Sequence, residues 1–187
     1  MRDDNDEVPD RRTRILDGAR AAFLRFGFKR TSMADIAVGA GVSRTALYHY
    51  FTDKDEVLRA VVEELHARSL SAAVEALEDS ETLAAALTGL LEAKFGRTLA
   101  VITESPHGVE LVDATHRLTE SATRAADKAF HTLVVKAFAR HGRNDETDVG
   151  ADTLIASAKG LMRSGNGHVS KRGFEKRISK LVSWVTK

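Results

Sequence analysis

Apolar residues recur along this chain with the period of an α-helix almost throughout. The first repeat, Ile15, Ala19, Ala22, Phe23 and Phe26, follows i, i+4, i+7, i+8, i+11 and predicts one buried helix face beginning after Pro9-Asp10. Gly27 is placed to end that helix in the left-handed conformation glycine readily adopts. Ser32, with Asp35 three positions on, has capping-box spacing and opens a short helix to about Ala40. Gly41-Val42-Ser43 interrupts the pattern, and Ser43 is a suitable N-cap for a second short helix, Arg44 to Phe51. Asp53 caps a fourth helix from about Lys54, with Val57, Leu58, Val61, Val62 and Leu65 on its apolar face.

Beyond this block the helices lengthen. Ser80 is the expected cap of a helix carrying Leu83, Ala84, Leu87, Leu90 and Leu91, and Phe95, Leu99 and Ile102 continue the period. Pro106 cannot donate into a preceding helix and predicts a break, followed by a short helix through Val109, Leu111 and Val112. A long helix is expected from Leu118 to Arg140, a turn at His141-Gly142-Arg143-Asn144, and a helix from Glu146 to Arg163. Ser164-Gly165-Asn166-Gly167 reads as a loop. The last helix repeats Phe174, Ile178, Leu181, Val182 and Val185. No strand, internal repeat or glycine-rich phosphate loop is predicted. The expected class is all-α, with about nine helices by periodicity.

Composition narrows this further. The 187 residues suffice for a real core, and 43% hydrophobic residues describe an ordinary folded chain. No run approaches the ~20 apolar residues that span a bilayer, and the N-terminus lacks the basic-then-apolar form of a secretory signal. Without cysteine there is no disulfide framework or thiolate metal site, so a reduced, cytoplasmic setting is expected. The net charge of +1 conceals a pattern: residues 1–10 carry −4, residues 11–54 carry +6 and the rest −1. The acidic start (Asp3, Asp4, Asp6, Glu7, Asp10) is expected to be a disordered tail. A basic segment on an otherwise balanced chain suggests a polyanion contact.

Met33 to Phe51 has a helix-turn-helix layout, two short helices meeting at a turn that contains Gly41, with small Ala37 one turn before it. Ile36, Ala40, Val42, Leu47 and Tyr50 are placed to hold the pair together. The stretches Ile15-Leu16-Asp17-Gly18-Ala19-Arg20-Ala21-Ala22-Phe23, Gly27-Phe28, Thr31-Ser32-Met33-Ala34-Asp35-Ile36-Ala37, Gly41-Val42-Ser43, Leu47-Tyr48-His49-Tyr50-Phe51 and Lys54-Asp55-Glu56-Val57-Leu58 resemble the TetR family of bacterial one-component transcription regulators. The resemblance covers about residues 12–60. It implies a helix-turn-helix domain over residues 11–54 and a helical ligand-binding and dimerisation domain over 55–187. It also implies a homodimer that binds double-stranded operator DNA, without a cofactor, as a repressor released by a small effector.

Under that resemblance the second short helix enters the major groove. Arg44 is suited to direct readout, because its forked guanidinium matches guanine O6 and N7. Thr45 and Ala46 would meet a thymine methyl or a phosphate, and Tyr48 and His49 would reach the backbone. Lys54 would contact phosphate with help from its helix N-terminus. Ser43, Thr31 and Ser32 would donate hydroxyls to phosphate. Core packing competes for Tyr48 and Phe51, and capping competes for Ser43.

The remaining chemistry leaves alternatives open. His107, Glu110, Asp113 and His116 step by three along one helical face, and Glu63 and His66 repeat the acid-x-x-His spacing found in di-iron bundles. A helical-bundle metalloenzyme is therefore a competing reading, with Glu92, Glu104 and Glu120 as loosely placed further carboxylates; a DNA-binding regulator without an effector is another. For an apolar or amphipathic effector, the expected walls are Phe95, Leu99, Ile102, Leu111, Phe130, Leu133 and Phe138. His107, Glu110, His116 and His131 are the possible polar anchors. Small residues on the penultimate helix and the apolar stripe on the last predict an intermolecular four-helix bundle through Leu154, Ala158, Leu161, Ile178, Leu181, Val182 and Val185.

Overall fold

The computed structural model describes residues 10–144, 147–164 and 167–187. The acidic stretch before Asp10, the helix start expected at Glu146 and the Gly165-Asn166 centre of the expected loop lie outside the described residues. The fold is all-α: α1 (Arg11–Phe26), α2 (Met33–Gly39), α3 (Arg44–Tyr48), α4 (Lys54–Glu78), α5 (Leu83–Leu91), α6 (Arg97–Glu104), α7 (Gly108–Leu118), α8 (Glu120–Arg140), α9 (Thr147–Leu161) and α10 (Lys171–Val185). One π-helical turn, Glu92–Gly96, joins α5 to α6 without a break. One detail departs from expectation. Arg163–Ser164 (β1) and Gly167–His168 (β2) pair antiparallel, Arg163 opposite His168, so Ser164 and Gly167 of the expected loop lie in a minimal ribbon.

Side-chain caps account for half of the ten helix starts among the described residues. The Ser32 hydroxyl oxygen accepts from the Asp35 N–H while the Asp35 carboxylate accepts from the Ser32 N–H, a reciprocal capping box. Ser43, Asp53 and Ser170 cap α3, α4 and α10 with a single bond each, their side-chain oxygens accepting from the N–H groups of Ala46, Glu56 and Gly173. The cap of α5 is Thr82, not Ser80: Thr82 Oγ1 accepts from the Ala85 N–H, while the Ser80 hydroxyl turns back to the Ala76 carbonyl and closes α4.

Packing divides into two cores. The first joins α1, α2, α3 and the N-terminal half of α4, and it takes in Leu111 and Ala114 of α7. The second joins the C-terminal half of α4 with α5, α6, α8, α9 and α10. Helix α4 therefore belongs to both. In the first core α1 and α2 cross at glycine. A Cβ on Gly18 would lie 2.5 Å from the Ala40 nitrogen, so only hydrogen at that position lets the backbones touch. Gly27 has φ 80° and ψ 156°, a glycine-only combination distinct from the expected left-handed helical one.

Several expected placements change. Phe26 and Tyr50, expected to be buried, are exposed at 38% and 40%. Phe26 lies at the end of α1 beneath the Arg25 guanidinium instead. Leu154, Ala158, Ile178 and Val182, expected between two chains, fill the second core of a single chain. Leu161, Leu181 and Val185 are only partly covered.

Candidate functional site

Helix α3 stands on Leu47, which is fully buried, and turns Arg44, Thr45, Tyr48 and His49 outward, with Ala46 half-covered. Residues i and i+4 share a helix face, and the Arg44 guanidinium lies 5.6 Å from the Tyr48 ring centroid. That contact pre-orders a long side chain on the exposed surface. Phe51 is buried, which settles its competing roles in favour of the core. Ser43 accepts from the Ala46 N–H at 3.1 Å through its oxygen; its own hydroxyl proton is not used in that cap.

Three of the expected DNA contacts have other partners. Thr31 is 2% exposed, and its hydroxyl donates to the Gly27 carbonyl at 2.7 Å, with the Ala22 carbonyl at 3.3 Å. It fastens the α1–α2 turn and offers nothing to solvent. The Ser32 hydroxyl donates to the Asp35 carboxylate at 2.6 Å, so its single proton is taken. These bonds hold the Asp35 carboxyl below the usual carboxylate range, the Ser32 hydroxyl contributing most and its backbone N–H next. Lys54 donates to the carbonyls of Phe28 (2.9 Å), Lys29 (3.0 Å) and Thr31 (3.1 Å), and its ammonium sits over the Phe28 ring. An ammonium has three protons, and all three are used. Lys54 is thus the clamp of the 28–31 turn. The exposed cations beside α2 are Lys29 and Arg30, which the sequence did not single out.

A cavity of about 170 Å³ lies behind this unit, between α1, α4, α6 and α7. Its apolar wall includes Phe23, Leu58, Val62, Leu65, Val101 and Leu111. The polar lining is Arg20, His66, Ser69, Lys94, Arg97, Thr98 and Thr115, with no carboxylate. His66 Nε2 lies 3.3 Å from Thr123 Oγ1. Burial pushes its pKa below the ordinary histidine value and the Lys94 charge adds to this, against a smaller opposite effect of Asp127.

Of the residues expected to hold an effector, the structure brings only Leu111 to this cavity. Phe95 packs edge-on to Phe130 and Phe174, with centroids 6.2 and 6.4 Å apart, and Leu99 and Phe138 share that second core, so these groups fill space against one another. Ile102 and Leu133 pack against the same core, and His116 is exposed. A periodic signal did reach the cavity: Leu58, Val61, Val62, Leu65, His66 and Ser69 follow i, i+3, i+4, i+7, i+8, i+11, an apolar stripe that turns polar at its end.

His107 and Glu110 serve a junction. Glu110 Oε1 accepts from the Lys29 N–H at 2.8 Å, and Glu110 Oε2 lies 3.8 Å from His107 Nδ1. The Ser105 hydroxyl donates to the Leu24 carbonyl at 2.7 Å. A Cβ on Gly27 would meet the Glu110 carboxylate at 2.7 Å, so the α6–α7 turn presses directly on the end of α1. Among the described residues no three of His, Asp and Glu converge as metal ligands; the Glu104 side chain lies outside them. No described helix is long and apolar enough to cross a membrane. His131 pairs with Asp152 at 3.2 Å. Near it an open depression of about 640 Å³ runs along α9 and α10, where Val149 (69% exposed) and Trp184 (63%) stand beside Leu181 and Val185.

Residues 15–61 match the family model described as bacterial regulatory proteins, tetR family. The chain is 39% identical over 66 residues to the HTH-type transcriptional regulator TtgR of Pseudomonas putida, covering 35% of this chain and 31% of that protein. It is 35% identical over 95 residues to the HTH-type transcriptional repressor KstR2 of Rhodococcus jostii, covering 49% and 47%. The matches thus span a third to a half of these relatives' length. The fold extends further: a solved transcriptional regulator from Aquifex aeolicus superposes with TM-score 0.69 at 17% identity, covering 94% of this chain and 99% of that one. Residues 15–61 thus carry a helix-turn-helix like that of the tetR family, and nearly the whole chain shares the fold of a solved transcriptional regulator.

Proposed function

We propose that the protein is a DNA-binding transcriptional repressor, acting in the cytoplasm as a homodimer and released from its operator by a small molecule. The observation that carries this is the α3 surface: Arg44, Thr45, Tyr48 and His49 exposed together on a helix anchored by Leu47. A two-fold dimer would set two such helices about 34–36 Å apart, in successive major grooves. Arg44 reads a base edge; Thr45, Ala46, Tyr48, His49 and Ser43 contact methyl groups or backbone; Lys29 and Arg30 supply phosphate contacts. The dimer surface is the depression around Val149, Leu181, Trp184 and Val185, since Leu154, Ala158, Ile178 and Val182 are consumed within one chain. The effector site is the cavity between α1 and α7.

The test is selection of bound genomic fragments followed by fluorescence anisotropy at several salt concentrations. Affinity should fall steeply with salt as counterions are released. Arg44→Ala should relax preference at one base position by about 1–3 kcal/mol. Unchanged affinity and preference in Arg44→Ala would remove α3 from the groove.

A further inference from the structure

We infer that the effector is a small carboxylate on an apolar body of about one ring, held with its anionic end toward Arg97. The inference rests on the cavity being the effector site and goes beyond it by naming what the cavity takes. The observation is an imbalance: Arg20, Lys94 and Arg97 border the cavity, and no Asp or Glu does. Lys94 is paired with Asp127, and Arg20 lies 3.6 Å from Asp17, both partners outside the lining. Arg97 has no ion pair among the described residues, and it is exposed, at the edge where a ligand would enter. Its forked guanidinium matches a carboxylate in two parallel hydrogen bonds. Thr98 and Thr115 line the same cavity and supply hydroxyl donors.

Size sets the body. The cavity volume of about 170 Å³, open at the Arg97 edge, is close to the about 150 Å³ of a dry cavity that accommodates benzene. It lies below the range of about 300–1,000 Å³ that serves drug-sized ligands. Phe23, Leu58, Val62, Leu65 and Leu111 offer such a body no polar partner, so a sugar would leave hydroxyls unsatisfied there. An amine would meet three cations. The uncharged preference of half-buried His66 fits the same polarity, because its neutral ring can donate to an anion without adding charge to the cavity when empty.

The experiment is calorimetric titration of the full chain, without DNA, using benzoate, benzyl alcohol, benzylamine and inorganic phosphate. Benzoate should bind at least about tenfold more tightly than benzyl alcohol, the value of one charge-assisted hydrogen bond, and benzylamine should not bind. Arg97→Gln should remove that advantage while leaving benzyl alcohol binding and helical content unchanged, and Arg97→Lys should restore part of it. Equal affinity for benzoate and benzyl alcohol, competition by phosphate at equal concentration, or unaltered benzoate binding in Arg97→Gln would each overturn the inference. DNA affinity of the ligand-free protein is measured separately. Its absence would sink the repressor reading and leave the ranking of the four probes intact.

Discussion

Lys54 separates two accounts of the same residue. As a phosphate contact, its loss would weaken DNA binding and leave the fold alone. As a clamp, its loss should loosen the turn that positions α2. Lys54→Met keeps the length and apolar stem of the side chain and removes the three donors. Hydrogen bonds to a charged group are worth about 1.5–3 kcal/mol each when fully sheltered. Here the 28–31 turn is half open to water, which can rehydrate the freed carbonyls. The cation–π contact with Phe28 adds about 0.5–1 kcal/mol. Allowing for this rehydration, the net cost should be about 2 kcal/mol. For a chain of this size that lowers Tm by about 4–8 °C.

The assay is thermal unfolding by circular dichroism beside anisotropy measured well below the transition. The slope of log affinity against log salt should be unchanged, whereas loss of a true phosphate contact lowers it by about one. An unaltered Tm with a reduced slope would refute the clamp and return Lys54 to the DNA.

Gly18→Ala should destabilise the chain by about 2 kcal/mol in urea unfolding, because overpacking against the Ala40 backbone outweighs the roughly 1 kcal/mol gain in helix propensity; a stabilised variant would mean α1 and α2 can part freely. His66 has a depressed pKa in the folded state, so the unfolded chain takes up a proton first as pH falls. Stability should be full above about pH 6.5 and decline below it, and His66→Gln should flatten that decline in denaturant titrations between about pH 7 and 5. Trp184→Glu should give a folded monomer by light scattering, while Val182→Glu, which buries an unpaired charge in the second core, should unfold; a dimeric Trp184→Glu would move the interface off α10.

The sequence told most where local chemistry decides structure. Capping at Ser32, Ser43 and Asp53, the break at Pro106 and the main period of the apolar faces need only near neighbours, and those starts and breaks formed as expected, although Phe26 is exposed and α3 stops at Tyr48. It told less wherever a residue's role depends on a distant partner. Lys54 looks like a free cation until the carbonyls 23 to 26 positions earlier are brought to it. Gly18 looks like an ordinary weak helix residue until Ala40 arrives. Thr31 looks available because nothing local consumes its hydroxyl except a backbone shaped by Gly27. The phenylalanines marked as pocket walls have the same periodic signature as core residues, and only their contact with one another distinguishes the two.

Under the proposed function, the two cores give a ligand a route to the helix-turn-helix. Phe23 and Leu24 of α1 border the cavity, and Gly18, on that same helix, is where α2 crosses. Leu111 borders the cavity as well, on α7, whose Glu110 accepts from the Lys29 N–H just before α2. A ligand that widens the space between α1 and α7 therefore strains two attachments of one rigid unit. Close backbone contact at Gly18 leaves little slack for α1 to yield alone, so the helix-turn-helix should tilt as a body. The ligand shifts DNA affinity only by its preference for the tilted state. A hundredfold release needs about 2.7 kcal/mol of such preference, within the usual range of allosteric coupling. Glu110→Ala removes one attachment, so the same ligand should bind with comparable affinity and release DNA less effectively. Release at full strength in Glu110→Ala would assign the coupling to α1 alone.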